Sequence, residues 1–247
     1  VKKFNKRLAM DQTLRKVPNQ RGIIGRKALF ARFEKMAAWS GISSRNRTEV
    51  LIIFKDALAY GNQEIKRRFE KDNVKGTETV RAQAFLIDQL IRVLYDVVVT
   101  YIYPIANATK GEQISIVATG GYGRSELAPF SDVDLMFLLN YKRSPRTEQI
   151  IEYMLYMLWD LGLKVGHATR SIEEAVKLSK EDLTICTSLI EARFLWGDEQ
   201  LYRHFKKRFS ADVYASSSSA FVEAKLVERD ERHGRMGDTR YVLEPNI

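Results

Sequence analysis

The chain has 247 residues, of which 45% are hydrophobic, so it is long enough to bury one large core or two smaller ones. Its single cysteine, Cys186, excludes an internal disulfide. The formal net charge is +9, and residues 1–27 carry much of this excess with a single acidic residue among them. This basic segment fits either an arm in solution or a contact with phosphates. No series of aromatic residues alternates with the charges, so nucleic acid is not an expected partner.

The sequence contains neither a secretory signal nor a predicted membrane span. The basic N-terminus is not followed by an apolar block. The most apolar stretch, residues 84–106, contains Asp88, Arg92 and Asp96. Their four-residue spacing places them on one face of a helix, which indicates an amphipathic or buried helix. We therefore expect a cytoplasmic protein without membrane contact.

The predicted elements begin with helices. Residues 26–110 carry apolar side chains at three- and four-residue spacing, interrupted near residues 40–46 and 72–79 by glycine and capping residues. Pro104 is expected to end the last of these helices. We assign residues 1–25 to the basic arm and residues 26–110 to a helical N-terminal segment.

The pattern changes after residue 110. Residues 113–121, 132–140 and 163–172 are predicted strands, because they are short and rich in β-branched or apolar residues. Residues 147–162 and the segment after Ser171 are predicted helices, as is most of 181–234. The fold class is therefore α+β, with a small mixed sheet flanked by helices. Residues 111–180 form the α/β core and residues 181–247 a helical C-terminal part.

Two acids stand at the start of the second predicted strand. Asp132 and Asp134 are two residues apart, so on a strand both side chains point to one face, while Val133 and Leu135 point to the other. Carboxylates this close repel each other unless a divalent cation such as Mg²⁺ lies between them. The alternative is that both acids are merely solvated at the end of the strand.

A glycine-rich turn, residues 119–124, precedes these acids. It follows the first predicted strand and leads into a predicted short helix at residues 125–130. Glycines in such a turn allow backbone N–H groups to approach phosphates, although a tight turn without a ligand has the same composition. The pattern is neither a P-loop nor a dinucleotide fingerprint, since no Gly-Lys-Ser/Thr follows and Glu126 occupies the third glycine position.

Together, the glycine pair, the gap of about ten residues and the Asp-x-Asp strand resemble the nucleotidyltransferase superfamily that includes DNA polymerase β. More narrowly, residues 120–139 resemble the catalytic region of the bacterial [protein-PII] uridylyltransferase family. Residues 165–175, 182–198 and 241–247 resemble later blocks of this family in the same order. The resemblance thus covers roughly residues 110–247.

This resemblance implies a Mg²⁺-dependent enzyme that transfers UMP from UTP to a tyrosine hydroxyl of the nitrogen-regulatory PII protein and releases pyrophosphate. By similarity, Asp132 and Asp134 are the catalytic, metal-binding acids. The nucleotide-binding residues carried over from the family motif are Gly120, Gly121, Gly123, Arg124 and Ser125. The metal would neutralise the triphosphate and position the α-phosphate, and Arg124 would meet phosphate oxygens.

The sequence departs from the family pattern at two positions. Ser125 stands where the motif usually continues with glycine, so it either tightens the turn or adds a hydroxyl contact to phosphate. The superfamily often has a third acid on the next strand, where Gly166 aligns here. Glu191 is a candidate for this third ligand or else lies on a helix surface. His167 contacts either the nucleotide or its protein neighbours.

Full-length relatives also carry an HD hydrolase domain that removes UMP and glutamine-sensing ACT domains. The chain contains no His-Asp dipeptide, so we expect the transferase machinery without these domains. Two alternatives stay open. One is nucleotidyl transfer to RNA or another acceptor, and the other is a fragment that binds nucleotide or PII with little turnover.

Overall fold

The computed structural model describes residues 17–107, 109–141, 144–214 and residue 230. The chain divides into two compact units. A helical unit takes in residues 1–107, 125–133 and 148–165, and a sheet unit takes in residues 108–124, 134–147 and 166–247. In the described residues, no helix is both long enough and apolar enough to span a membrane.

Among its described residues, the N-terminal part of the helical unit contains four helices. They are α1 (Gln20–Ile23), α2 (Arg26–Ser40), α3 (Arg47–Lys71) and α4 (Gly76–Val97). A 3₁₀ turn, Ser44–Asn46, precedes α3, and a π-helical turn, Val98–Ile102, extends α4 to just before Pro104. The helices pack through an apolar core, in which the ring centroids of the buried Phe33 and Phe54 lie 4.9 Å apart. The predicted helical character of this region is therefore confirmed.

Residues 17–25 lie in the segment that the sequence assigned to the basic arm. They contain α1, and both Ile23 and Ile24 are buried. Arg68 on α3 donates hydrogen bonds to the carbonyl oxygens of Pro18 and Asn19, at 2.8 and 2.9 Å. These contacts anchor residues 17–25 to α3, whereas residues 1–16 lie outside the described part of the chain.

The sheet unit is built on a four-stranded mixed sheet in the order β3-β2-β1-β4. The strands are β1 (Ile114–Ala118), β2 (Val133–Leu139), β3 (Val165–Ser171) and β4 (Arg193–Gly197). The central strand β1 pairs antiparallel with β2, with Ile116 opposite Phe137, and antiparallel with β4. This arrangement confirms the predicted α+β class.

Five helices complete the described fold. They are α5 (Gly120–Gly123), α6 (Pro145–Asp160), α7 (Ile172–Glu181), α8 (Leu183–Ile190) and α9 (Glu199–Phe209), with a π-helical turn at Ser210–Tyr214. Most of α6 belongs to the helical unit. In the sheet unit, Met136 and Leu138 of β2 share one hydrophobic core with residues of α7, α8 and α9. Cys186 is buried in this core.

Two sequence-based predictions in this region are wrong. The stretch 181–197, predicted as helical throughout, contains α8 and then β4, because Phe194 and Trp196 pair with β1 rather than continuing the helix. Residues 125–130 are not helical, since Ser125 and Phe130 have φ values of 61° and 67°. The single helical turn lies earlier, at Gly120–Gly123. The helix predicted at 216–234 and the block at 241–247 lie outside the described residues, apart from the helical residue 230.

Candidate functional site

The glycine turn follows directly on β1. Gly120 has φ 55°, a left-handed conformation that side chains disfavour, and it starts the one-turn helix α5. Gly123 donates its N–H to the carbonyl of Thr119 at 2.9 Å. A Cβ atom at Gly123 would overlap the carbonyl oxygen of Glu191 at the end of α8. The turn is therefore held in one position by close backbone packing.

Asp134 lies on β2 between two glycines. A Cβ atom at Gly120 would be 3.0 Å from its Oδ2, and a Cβ atom at Gly166 would be 2.5 Å from its Oδ1. The carboxylate thus lies between the glycine turn on one side and β3 on the other. Because any side chain at position 166 would displace Asp134, this position accommodates a glycine and not a third acid.

Asp132 lies outside β2, which begins at Val133, and its side chain is exposed. Val133 and Leu135 are buried, as the predicted alternation requires. The segment that ends at Val133 belongs to the helical unit, and the segment that starts at Asp134 belongs to the sheet unit. The sheet unit by itself brings together the predicted site residues Gly120, Gly121, Gly123, Arg124 and Asp134, whereas the pairing of the two acids stays a prediction.

Arg124, at the end of the turn, forms an ion pair with Glu191. Its Nη1 lies 2.7 Å from Oε2 of Glu191, and the two side chains are 49% and 27% exposed. Glu191, which the sequence offered as a third metal ligand, therefore binds this guanidinium at the C-terminal end of α8. An exposed pair of this kind contributes about 1 kcal/mol or less, so phosphate oxygens can compete for Arg124.

Ser125 has the left-handed backbone conformation that glycine adopts most easily. This conformation explains why the related motif usually has glycine at this position. Ser125 thus forms part of the tight turn that follows Arg124, which is the first of the two roles expected for it. Its segment belongs to the helical unit, so a contact of its hydroxyl with phosphate stays a prediction.

Arg193 is a site residue that the sequence analysis missed. It donates hydrogen bonds to the carbonyl oxygens of Gly123 and Tyr122, at 3.3 and 3.2 Å. Its guanidinium also lies 5.4 Å from the ring centroid of the buried Tyr122. These contacts fix the turn to the start of β4. The sequence analysis predicted a helix where β4 forms. It therefore gave no reason to place Arg193 next to the turn.

A cavity of about 260 Å³ opens beside Asp134. Its walls come from Thr119 and the turn, from β2, from β3 and from α8. Its lining residues include Gly120, Asp134, Gly166, Ala168, Arg170 and Ser188. His167 lines the same cavity. Within the described residues, no group of three or more His, Cys, Asp or Glu side chains is arranged to hold a metal ion.

Residues 105–190, which include the glycine turn, Asp134 and the residues that line this cavity, match the family described as Nucleotidyltransferase domain. Nearly the whole chain is also similar to curated proteins named bifunctional uridylyltransferase/uridylyl-removing enzyme. The protein from Rhodospirillum rubrum is 51% identical over 235 residues, which is 95% of this chain and 25% of that protein. The protein from Azospirillum brasilense is 48% identical over 239 residues, which is 97% of this chain and 26% of that protein.

The protein of the same name from Erythrobacter litoralis is 48% identical over 232 residues. The chain spans about a quarter of the length of the curated relatives it matches. The match to these relatives covers both units of the chain, whereas the match to the domain family covers β1, β2 and β3 with the segments between them and ends before β4. The chain is thus a homologue of bifunctional uridylyltransferase/uridylyl-removing enzymes and carries a nucleotidyltransferase domain.

Proposed function

We propose that this chain catalyses the transfer of UMP from UTP to a tyrosine hydroxyl of the PII protein in the cytoplasm, with release of pyrophosphate. The main support is the carboxylate of Asp134, which lies between Gly120 and Gly166 at the mouth of a cavity. This geometry puts an oxygen ligand next to a backbone turn of the kind that receives phosphates. The homology to enzymes named uridylyltransferase supports UMP as the transferred group.

Mg²⁺ suits the residues that are available. Mg²⁺ is usually bound in nucleotide enzymes by one or two carboxylates, with water and substrate phosphates completing its shell. Asp134 offers one such carboxylate beside the turn, and Asp132, two residues earlier, is the predicted second one. When bound, the ion would neutralise the triphosphate and favour departure of pyrophosphate.

The protein's own groups would hold the triphosphate in place. The amides of Gly123 and Arg124 already donate to the carbonyls of Thr119 and Gly121, so phosphate would meet the earlier amides of the turn. Arg124 would exchange Glu191 for phosphate oxygens, since a multiply charged anion attracts the guanidinium more strongly than one exposed carboxylate does. Positioning and electrostatics would then provide most of the rate acceleration.

The acceptor is a phenol, whose pKa is about 10, so its proton must leave before or during attack on the α-phosphate. The resemblance to PII-modifying enzymes supports this acceptor.

The test is transfer of labelled UMP from UTP to purified PII with Mg²⁺. Asp134→Asn should lower the rate by at least about a hundredfold, because it removes a charged group that acts at the developing charge. Asp132→Asn should have a similar effect if both acids bind the metal. Glu173→Gln, at an exposed position on α7, is the matched control and should leave the rate unchanged. Circular dichroism would verify that each variant is folded.

Two results would contradict the proposal. Unchanged transfer in Asp134→Asn would remove the metal assignment. Activity with ATP on RNA, together with none on PII, would assign the chain to a different nucleotidyl transfer.

A further inference from the structure

Three residues of β3 share the face that carries the site. Gly166 faces the carboxylate of Asp134, and side chains on a strand alternate, so Ala168 and Arg170 lie on the same face as Gly166. All three line the cavity of about 260 Å³ that Asp134 also lines. The two small residues leave space along the strand, and Arg170 bounds that space at the far end from Asp134.

Arg170 is only partly exposed. Within the described ranges, its guanidinium takes part in no ion pair and no hydrogen bond, although it carries five N–H donors. Its electrostatic neighbour is Asp182, but the Oδ1 atom of Asp182 accepts the amides of Thr184 and Ile185, at 2.7 and 3.1 Å. The pKa of Asp182 is lowered chiefly by these amide hydrogen bonds, and Arg170 contributes least.

Asp134 and Arg170 line the same small cavity, so a single ligand can touch both. The cavity therefore offers a carboxylate for a cation at one end and a guanidinium for an anion at the other. A metal-bound polyphosphate carries both charges. A guanidinium has donors only, and its planar fork matches two phosphate oxygens better than it matches the mixed donor and acceptor edge of a base.

We propose that Arg170 binds phosphate oxygens of the nucleoside triphosphate, in the cavity between β3 and α8. This proposal rests on the proposed function, because it takes the ligand to be a nucleoside triphosphate. It adds to the predicted nucleotide-binding residues of the glycine turn a cation on the opposite side of Asp134. Ser188 of α8 also lines this cavity, but its hydroxyl already donates to the carbonyl of Ile185 at 2.8 Å.

The test is calorimetric binding of Mg²⁺-UTP, Mg²⁺-CTP and Mg²⁺-tripolyphosphate to the wild-type chain and to Arg170→Gln. We expect Arg170→Gln to weaken binding of all three ligands by about tenfold or more, because it removes a charge-assisted hydrogen bond. The ratio of UTP to CTP affinity should stay the same. Arg170→Lys, which keeps the charge, should recover part of the loss and serves as the second variant if the glutamine variant does not fold.

The matched control is Arg203→Gln, since Arg203 lies on the surface of α9 and pairs with Glu199. This control should bind all three ligands as the wild type does. Affinities of both Arg170 variants within twofold of wild type would overturn the proposal, as would a wild-type chain that binds no tripolyphosphate. A loss confined to UTP, with a changed ratio of UTP to CTP affinity, would assign Arg170 to the base instead.

The binding assay also separates this proposal from the proposed function. If the wild-type chain transfers no UMP to PII, yet its tripolyphosphate affinity still depends on Arg170, the acceptor is wrong and the phosphate site stands.

Discussion

The two sides of Asp134 are built differently. On the side of the glycine turn, Arg193 holds the carbonyls of Tyr122 and Gly123, and Glu191 lies against Gly123 and pairs with Arg124. On the side of β3, Gly166 and Ala168 leave an open cavity wall that ends at Arg170. The first side is suited to fixing a backbone position, and the second to receiving a ligand. Residues on the turn side thus keep the site in shape, whereas residues on the β3 side can bind a ligand.

The largest expected effect is on the turn side, for Gly123→Ala. Its new methyl group would overlap the carbonyl oxygen of Glu191, and backbone atoms cannot move aside as a side chain can. We expect the free energy of unfolding to fall by about 2–3 kcal/mol, the upper part of the range for overpacking in a close-packed site. Urea unfolding followed by circular dichroism measures this change.

The matched control for this substitution is Gly76→Ala in the first turn of α4, where a Cβ atom would have no neighbour within 4 Å. That control should be neutral or slightly stabilising. If Gly123→Ala is as stable as the control, close packing does not hold the turn.

The next effect is on the opposite side, for Gly166→Ala. The added Cβ would lie 2.5 Å from Oδ1 of Asp134, so the carboxylate must move. The stability should change by less than it does in Gly123→Ala, because the displaced group is the end of a side chain. We expect Mg²⁺-UTP affinity to fall by about tenfold, which corresponds to about 1.4 kcal/mol. Calorimetry and urea unfolding of the same sample distinguish this pattern from general destabilisation, and unaltered affinity would speak against Asp134 as a ligand.

The smallest effect is expected for Glu191→Gln. The ion pair with Arg124 is partly exposed, so the free energy of unfolding should change by about 0.5 kcal/mol or less. Release of Arg124 should raise Mg²⁺-UTP affinity by about two- to threefold at low ionic strength, and the gain should shrink as salt is added. A loss of affinity in this variant would indicate that Glu191 binds the metal after all. Glu199→Gln, on the surface of α9, is the control.

Much of the fold and some of the site followed from local sequence patterns. The helix predicted after Ser171 forms and begins with a capping box, since Ser171 and Glu174 each accept the backbone N–H of the other, at 3.1 and 2.7 Å. The short apolar runs identified β1, β2 and β3, and the glycine pair located the turn. These features depend on neighbours within a few residues, which is why a sequence pattern can reveal them.

Contacts between distant parts of the chain decided the rest. Residues 193–197 form a strand because β1 offers an edge to pair with, although their apolar pattern is equally compatible with a helix. Arg193 reaches the turn and Glu191 reaches Arg124 across about 70 residues, and Gly166 is explained only by the carboxylate of Asp134 beside it. The sequence by itself thus determined the chemical groups and their local elements. The tertiary structure decided which groups meet, because packing and strand pairing join segments whose separation along the chain carries no information about their distance in space.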